Sequence, residues 1–173
     1  MGRETDALNR SFGFDPMQVD IVVLSHAHID HCGLLPKLVK EGYKGKIYCT
    51  PATRELAGVL LEDSAEIQED DVKYENKKRA AQGLPYLKPI YTSEDALETM
   101  KYFSEVDYGE WVTIDEGVDL LYTDAGHIIG SAAVHLRIKE GSETRQLTFS
   151  GDVGRYRDVI LKSPADFPQA DYI

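Results

Sequence analysis

The sequence predicts an α/β protein, on three observations. Strand-length apolar runs at 21–24 and 46–49 each lead into a helical pattern. The stretch from 110 to 149 reads as successive strands. Glycines cluster just past the expected ends of strands, at 126, 130, 151 and 154. At 173 residues and 42% hydrophobic composition the chain can bury a core, and its mean hydropathy of -0.35 is ordinary for a globular domain.

Taken in order, Ile21-Val22-Val23-Leu24 is a buried strand, and Gly33 to Val39 a short amphipathic helix. Lys46 to Cys49 is a second strand. Thr50 can cap a helix that has Pro51 in its first position. Leu56, Leu60, Ile67 and Tyr74 give that helix an apolar stripe as far as about Ala81, and Gly83-Leu84-Pro85 ends it. Thr92-Ser93-Glu94-Asp95 has the form of a capping box opening a helix to about Tyr102. Strands follow at 110–114, 118–122, 132–140 and 145–149, with a hairpin turn at 140–143. No internal repeat or low-complexity segment is present. The helical section at about 50–103 is expected to pack on the sheet or shape a cleft, as an elaboration of one domain spanning 1–173.

The chemistry concentrates at the ends of strands. Ser25-His26-Ala27-His28-Ile29-Asp30-His31 places three imidazoles and a carboxylate within six residues, just after the first apolar run. Alternation points His26 and His28 the same way, and Asp30 and His31 follow where the helix starts. A His-rich solvent loop does not account for so tight a spacing. Downstream, His127 and Asp152 each stand beside glycines just past a strand. Three strand ends converging on one edge would bring six metal-binding groups together: His26, His28, Asp30, His31, His127 and Asp152. Imidazole and carboxylate suit zinc, with manganese or iron as alternatives. His135 alternates with apolar neighbours on the more polar face of a strand and is read as structural. Cys32 is read as a small packing residue at the helix start.

Charge and composition limit the function further. No apolar stretch approaches membrane-spanning length, and the N-terminus, Met1 to Asp6, has no signal-peptide core. Asp6 stands where N-myristoylation needs Ser or Thr. Cys32 and Cys49 form no disulfide framework, so a reducing, cytoplasmic setting is expected. The net charge is -11, with one acidic run from Glu62 to Glu75 read as the solvated face of a helix. Arg155 and Arg157, just past Asp152, are either a phosphate contact or an ordinary surface pair; no substrate-binding residue is assigned.

Three motifs carry a resemblance. H-x-H-x-D-H at 26–31, G-H-x-x-G-S-A at 126–132 and F-S-G-D-x-G-R at 149–155 resemble, in this order, the metallo-β-lactamase superfamily. More narrowly they resemble its RNA-processing β-CASP branch, which includes the nuclease subunit of the cleavage and polyadenylation machinery and its bacterial and archaeal relatives. The stretches 60–68 and 89–95 are similar to that branch too, and the likeness runs from about Asp6 to Ile173. The resemblance implies an αββα sandwich with metals at one edge. It would be incomplete here, with the N-terminal strands, the β-CASP domain and the C-terminal return bearing a last histidine all missing.

By the same resemblance His26, His28 and His127 would hold one zinc, and Asp30, His31 and Asp152 a second, with Asp152 bridging. Two such ions sit about 3.5–4 Å apart and share a water whose pKa they depress. The hydroxide would attack an RNA phosphodiester, with Asp30 orienting it in a catalytic role, and the leaving-group proton would come from a histidine outside this chain. RNA is the implied partner. The fragment alone would be weakly active or inactive, and its exposed sheet edge would favour a homo-oligomer. The alternatives are a thioester or other small-molecule hydrolase of the glyoxalase II type, and an inactive truncated fragment.

Overall fold

A computed structural model describes residues 9–173, so the reading of Met1 to Asp6 concerns residues outside those described. The fold is mixed α/β, with seven strands in two sheets among the described residues. The strands are β1 (Ile21–Val23), β2 (Lys46–Cys49), β3 (Phe103–Glu105), β4 (Val112–Asp115), β5 (Val118–Asp124), β6 (Ala132–Glu140) and β7 (Glu143–Phe149). The helices are α1 (Ile29–Cys32), α2 (Leu35–Lys40), α3 (Pro51–Ala81) and α4 (Ser93–Thr99), with 3-10 turns at Pro16–Gln18 and Met100–Tyr102. No helix among the described residues is long and apolar enough to cross a membrane.

Contacts divide the chain into two units. The first takes the described part of 1–22 with 28–46 and 57–103. Here Lys40 bridges to Asp95 at 2.7 Å, and the Tyr91 hydroxyl donates to Ser64 Oγ at 3.0 Å. The capping box of α4 forms as read: Thr92 Oγ1 accepts from the Asp95 amide, and Asp95 Oδ2 accepts from the Thr92 amide. Asn76 bonds the amide and carbonyl of Leu87 at 2.8 and 3.0 Å, which pins the segment returning from the end of α3.

The 31-residue α3 corrects one expectation. Its buried stripe is Thr53, Ala57, Leu61 and Ala65, spaced four apart. Ile67 and Tyr74, expected on that stripe, are exposed. Small side chains let a helix approach its neighbours closely, but they contribute little to a hydrophobic pattern, so the bulkier residues of the next stripe dominate the sequence signal. Beyond Gln68 no side chain of α3 is fully buried, in keeping with its acidic run. The helix expected at 33–39 is α2, which starts at Leu35, and the separate short helix α1 precedes it at Ile29–Cys32. The short β3 had no signal in its three residues.

The second unit takes 23–27, 47–56 and 104–173, and holds the antiparallel sheet β4-β5-β6-β7. The β6–β7 hairpin closes at Glu140 opposite Glu143, as its turn residues predict. On the outer side of β7, Thr148 donates to the Tyr172 carbonyl at 2.8 Å, so part of that edge is paired. The buried hydroxyl of Tyr122 on β5 donates to the Tyr48 carbonyl at 2.8 Å and lies 3.2 Å from that of Leu24. Burial holds this phenol far above its ordinary pKa, so it stays a neutral donor.

His135 sits in the middle of this sheet. It is buried, against the expectation of a polar strand face, because Phe167 packs edge-on to its ring at 5.5 Å. Its Nε2 lies 2.8 Å from Thr123 Oγ1 and its Nδ1 2.8 Å from Thr148 Oγ1, so both ring nitrogens are engaged by hydroxyls. Burial lowers its pKa below the ordinary 6.5, since the charged ring would have to leave water. The unfolded chain therefore takes up this proton first as pH falls. Its contribution to stability is present above about pH 6.5 and is lost as pH drops through the lower, folded-state value. Urea unfolding at pH 8 and pH 5.5 should show wild type losing more stability on acidification than His135→Gln. Equal losses would mean that His135 does not carry this dependence.

Candidate metal centre

The site grows from loops at the ends of β1, β5 and β7. After β1 the chain runs through Ser25 into His26, which is almost fully buried. After β5 it enters the loop 125–131, which carries His127, and after β7 it enters 150–154, which carries Asp152.

Hydrogen bonds to backbone hold the His127 loop. The Gly130 carbonyl accepts from Thr50 Oγ1 at 2.6 Å and from Thr53 Oγ1 at 2.8 Å. Thr50 Oγ1 also accepts from the Thr53 amide, capping α3 as its sequence suggested. Gly130 has φ +80, and a Cβ there would press on the Thr53 amide, so only glycine fits. Ser131 Oγ accepts from the amides of His127 and Ile128 at 3.0 and 3.2 Å. The Tyr108 hydroxyl donates to the Ser131 carbonyl at 2.8 Å, and its pKa is pushed up to about 12 by burial. Gly154 docks the Asp152 loop against this one: its amide donates to the Ala125 carbonyl, and a Cβ at Gly154 would overlap the Gly126 carbonyl.

These contacts bring four of the six expected residues together. Ligand atoms of His26, His28, His127 and Asp152 all lie within 4.8 Å of one another. His127 Nε2 is 3.4 Å and His26 Nε2 3.9 Å from Asp152 Oδ2. The rings of His26 and His127 meet edge to face at 5.1 Å. A tetrahedral ion with bonds of about 2.0–2.1 Å has ligand-to-ligand edges of about 3.3 Å, so the spacing already approaches what an ion requires. Three neutral imidazoles and one carboxylate form a donor set for a divalent metal.

Asp30 and His31 are outside that group. They stand on α1, immediately after His28, with Asp30 Oδ2 3.8 Å from His31 Nε2 and the Asp30 side chain largely exposed. Cys32 is buried, and burial pushes its thiol up to about 12, which keeps it protonated and suits a packing role. Arg155 and Arg157 are exposed, and Arg157 holds φ 65. Thr53 and Tyr108 escaped the sequence reading. Thr53 carried no signal in the sequence, since its place on the buried stripe of α3 emerges only in the fold.

The metallo-beta-lactamase superfamily model matches residues 2–172 of the chain. Ribonuclease TTHA0252 of Thermus thermophilus is 36% identical over 172 residues, covering 99% of this chain and 35% of that protein. Transcription termination factor FttA of Methanocaldococcus jannaschii is 35% identical over 160 residues, covering 91% and 23%. The chain thus spans about a third of the first relative's length and under a quarter of the second's. Among solved structures, the subclass B3 metallo-beta-lactamase MEM-A1 from a soil metagenome library aligns with TM-score 0.44 and 20% identity, covering 79% of this chain and 43% of that one.

Three substitutions test the site and the loop that supports it. Asp152→Asn removes the one negative charge of the four-residue group and should weaken zinc binding by more than about tenfold, beyond the loss of an outer-shell partner. His135→Ala should leave zinc binding near wild type, and equal losses in zinc titrations would mean that His135 is wrongly read as structural. Thr53→Val removes one of two donors to the Gly130 carbonyl and should cost about 1 kcal/mol in urea unfolding. No change would mean that Thr50 alone secures the loop.

Proposed function

Because the chain belongs to the metallo-beta-lactamase superfamily, we propose that it is the metal-holding part of a hydrolase that cleaves RNA phosphodiester bonds. The observation that carries this reading is the convergence of His26, His28, His127 and Asp152 from three separate loops. RNA as the substrate is supported by the F-S-G-D-x-G-R wording at 149–155 and by a relative named as a ribonuclease. The same features favour the β-CASP branch.

Zinc is the proposed ion, with His26, His28 and His127 as its nitrogen ligands and Asp152 beside them. Bound zinc would supply an activated water and stabilise charge on the phosphoryl oxygens. The chain's own part is to hold the three imidazoles and the Asp152 carboxylate close together. Asp152 is half exposed, so its carboxylate can serve a second cation as well. Asp30 and His31 complete that second set in the proposal, since they follow His28 directly on α1. Asp30 would then accept a hydrogen bond from the attacking water and orient it.

The charge of -11 disfavours phosphate in general, but metal cations reverse the local field where the reaction occurs. Cys32 and Cys49 are buried and unbridged, which fits the proposed cytoplasmic setting.

The chain, alone and extended by any coding sequence that flanks it, is to be offered single-stranded RNA with zinc and with chelator. The extended form should cleave RNA only with metal, and His28→Ala should abolish cleavage. The 173-residue chain alone should be the slower of the two, since general acid catalysis contributes about 10²–10⁴-fold and no described residue is assigned that role. Hydrolysis of a thioester without RNA cleavage would replace this reading with a small-molecule hydrolase.

A further inference from the structure

We propose that Ser25 is a positioning residue that selects the tautomer of His26, so that Nε2 carries the lone pair offered to the metal. The inference rests on the metal reading above and adds a residue to it.

The ring of His26 has two differently placed nitrogens. Nε2 faces Asp152 Oδ2 at 3.9 Å, on the side where the other ligand atoms gather. Nδ1 lies 3.0 Å from Ser25 Oγ. A neutral imidazole carries one N–H, and a nitrogen that binds a metal must be the other one. If Nε2 is the ligand, the proton sits on Nδ1, and a buried N–H there needs an acceptor. The Ser25 hydroxyl oxygen stands at that place. Free imidazole side chains favour the opposite tautomer, with the proton on Nε2, so the preference must be imposed by the surroundings.

Ser25 is held in place to accept from that N–H. Its carbonyl accepts from the Ala132 amide at 2.8 Å, which ties it to the segment that follows the His127 loop. Its side chain lies against Gly151: a Cβ added there would come within 3.1 Å of Ser25 Cβ and 3.3 Å of Oγ. The residue that orients His26 is therefore wedged against the neighbour of Asp152 and bonded next to the His127 loop. Partners of this kind fix the direction of a ligand ring and are worth 10–100-fold in metal affinity.

The test combines ring-nitrogen NMR of the ¹⁵N-labelled, metal-free protein at pH 8 with zinc titration against a chromophoric competitor. Wild-type His26 should be the Nδ1–H tautomer. In Ser25→Ala it should become a mixture or reverse, with zinc affinity falling about tenfold. Ser25→Thr, which keeps the hydroxyl, should restore both. A wild-type His26 in the Nε2–H form would overturn the proposal without any variant. So would a Ser25→Ala protein with unchanged tautomer and affinity. If wild type bound no zinc, the metal reading would fail, while the tautomer measurement would still decide what Ser25 does to His26.

Discussion

The Gly130 carbonyl and the two threonine hydroxyls that bond to it, from Thr50 and Thr53, are the interaction on which the rest of this site depends. The loop between β5 and β6 must turn sharply to bring His127 back beside His26. A sharp turn leaves backbone groups unpaired, and a buried carbonyl without a partner costs about 1–3 kcal/mol. The start of α3 supplies those partners. The residue that caps the helix thus also fastens the loop that carries His127. Tyr108 and Ser131 extend the arrangement, so that His127 is set by backbone that has little freedom left.

The same economy applies to the candidate ligands. Neutral imidazoles can be buried without the penalty that a charged ring would incur. His26 is buried almost completely, while Asp152, the group that carries formal charge, stays half exposed to water. The most buried member of the group is thus an imidazole, and the most exposed is the carboxylate. His135 shows the contrast. It too is a buried histidine, but threonine hydroxyls engage both of its nitrogens, and no carboxylate or second imidazole forms a ligand group with it among the described residues.

Much of this was legible in the sequence, for identifiable reasons. H-x-H-x-D-H is local, so its spacing alone marked His26 and His28 as candidate ligands. His127 and Asp152 stood beside glycines at strand ends, which marked each segment as a tight loop with a ligand-type side chain. The boundaries of β2, α3 and β6 followed from apolar runs, a proline at the first helical turn and a glycine hairpin. The buried stripe of α3 was misplaced by one position because it is lined by alanines and a threonine, whose burial leaves almost no hydrophobic mark.

What the sequence by itself determined is the inventory: an α/β chain, a nitrogen-rich set of candidate ligands, and the order in which they arrive. Chain-local chemistry suffices for that, because capping, turn formation and side-chain alternation act over a few residues. The tertiary structure decided which of the six candidates meet, and which hydroxyls hold them. His26 and Asp152 are 126 positions apart, and only the docking of Gly154 and Gly151 against their neighbours brings them to 3.9 Å. The roles of Thr53, Tyr108 and Ser25 arise from bonds to backbone and ring atoms remote in sequence or set by loop geometry. A hydroxyl's partner is chosen by where the chain folds, and no residue pattern records it.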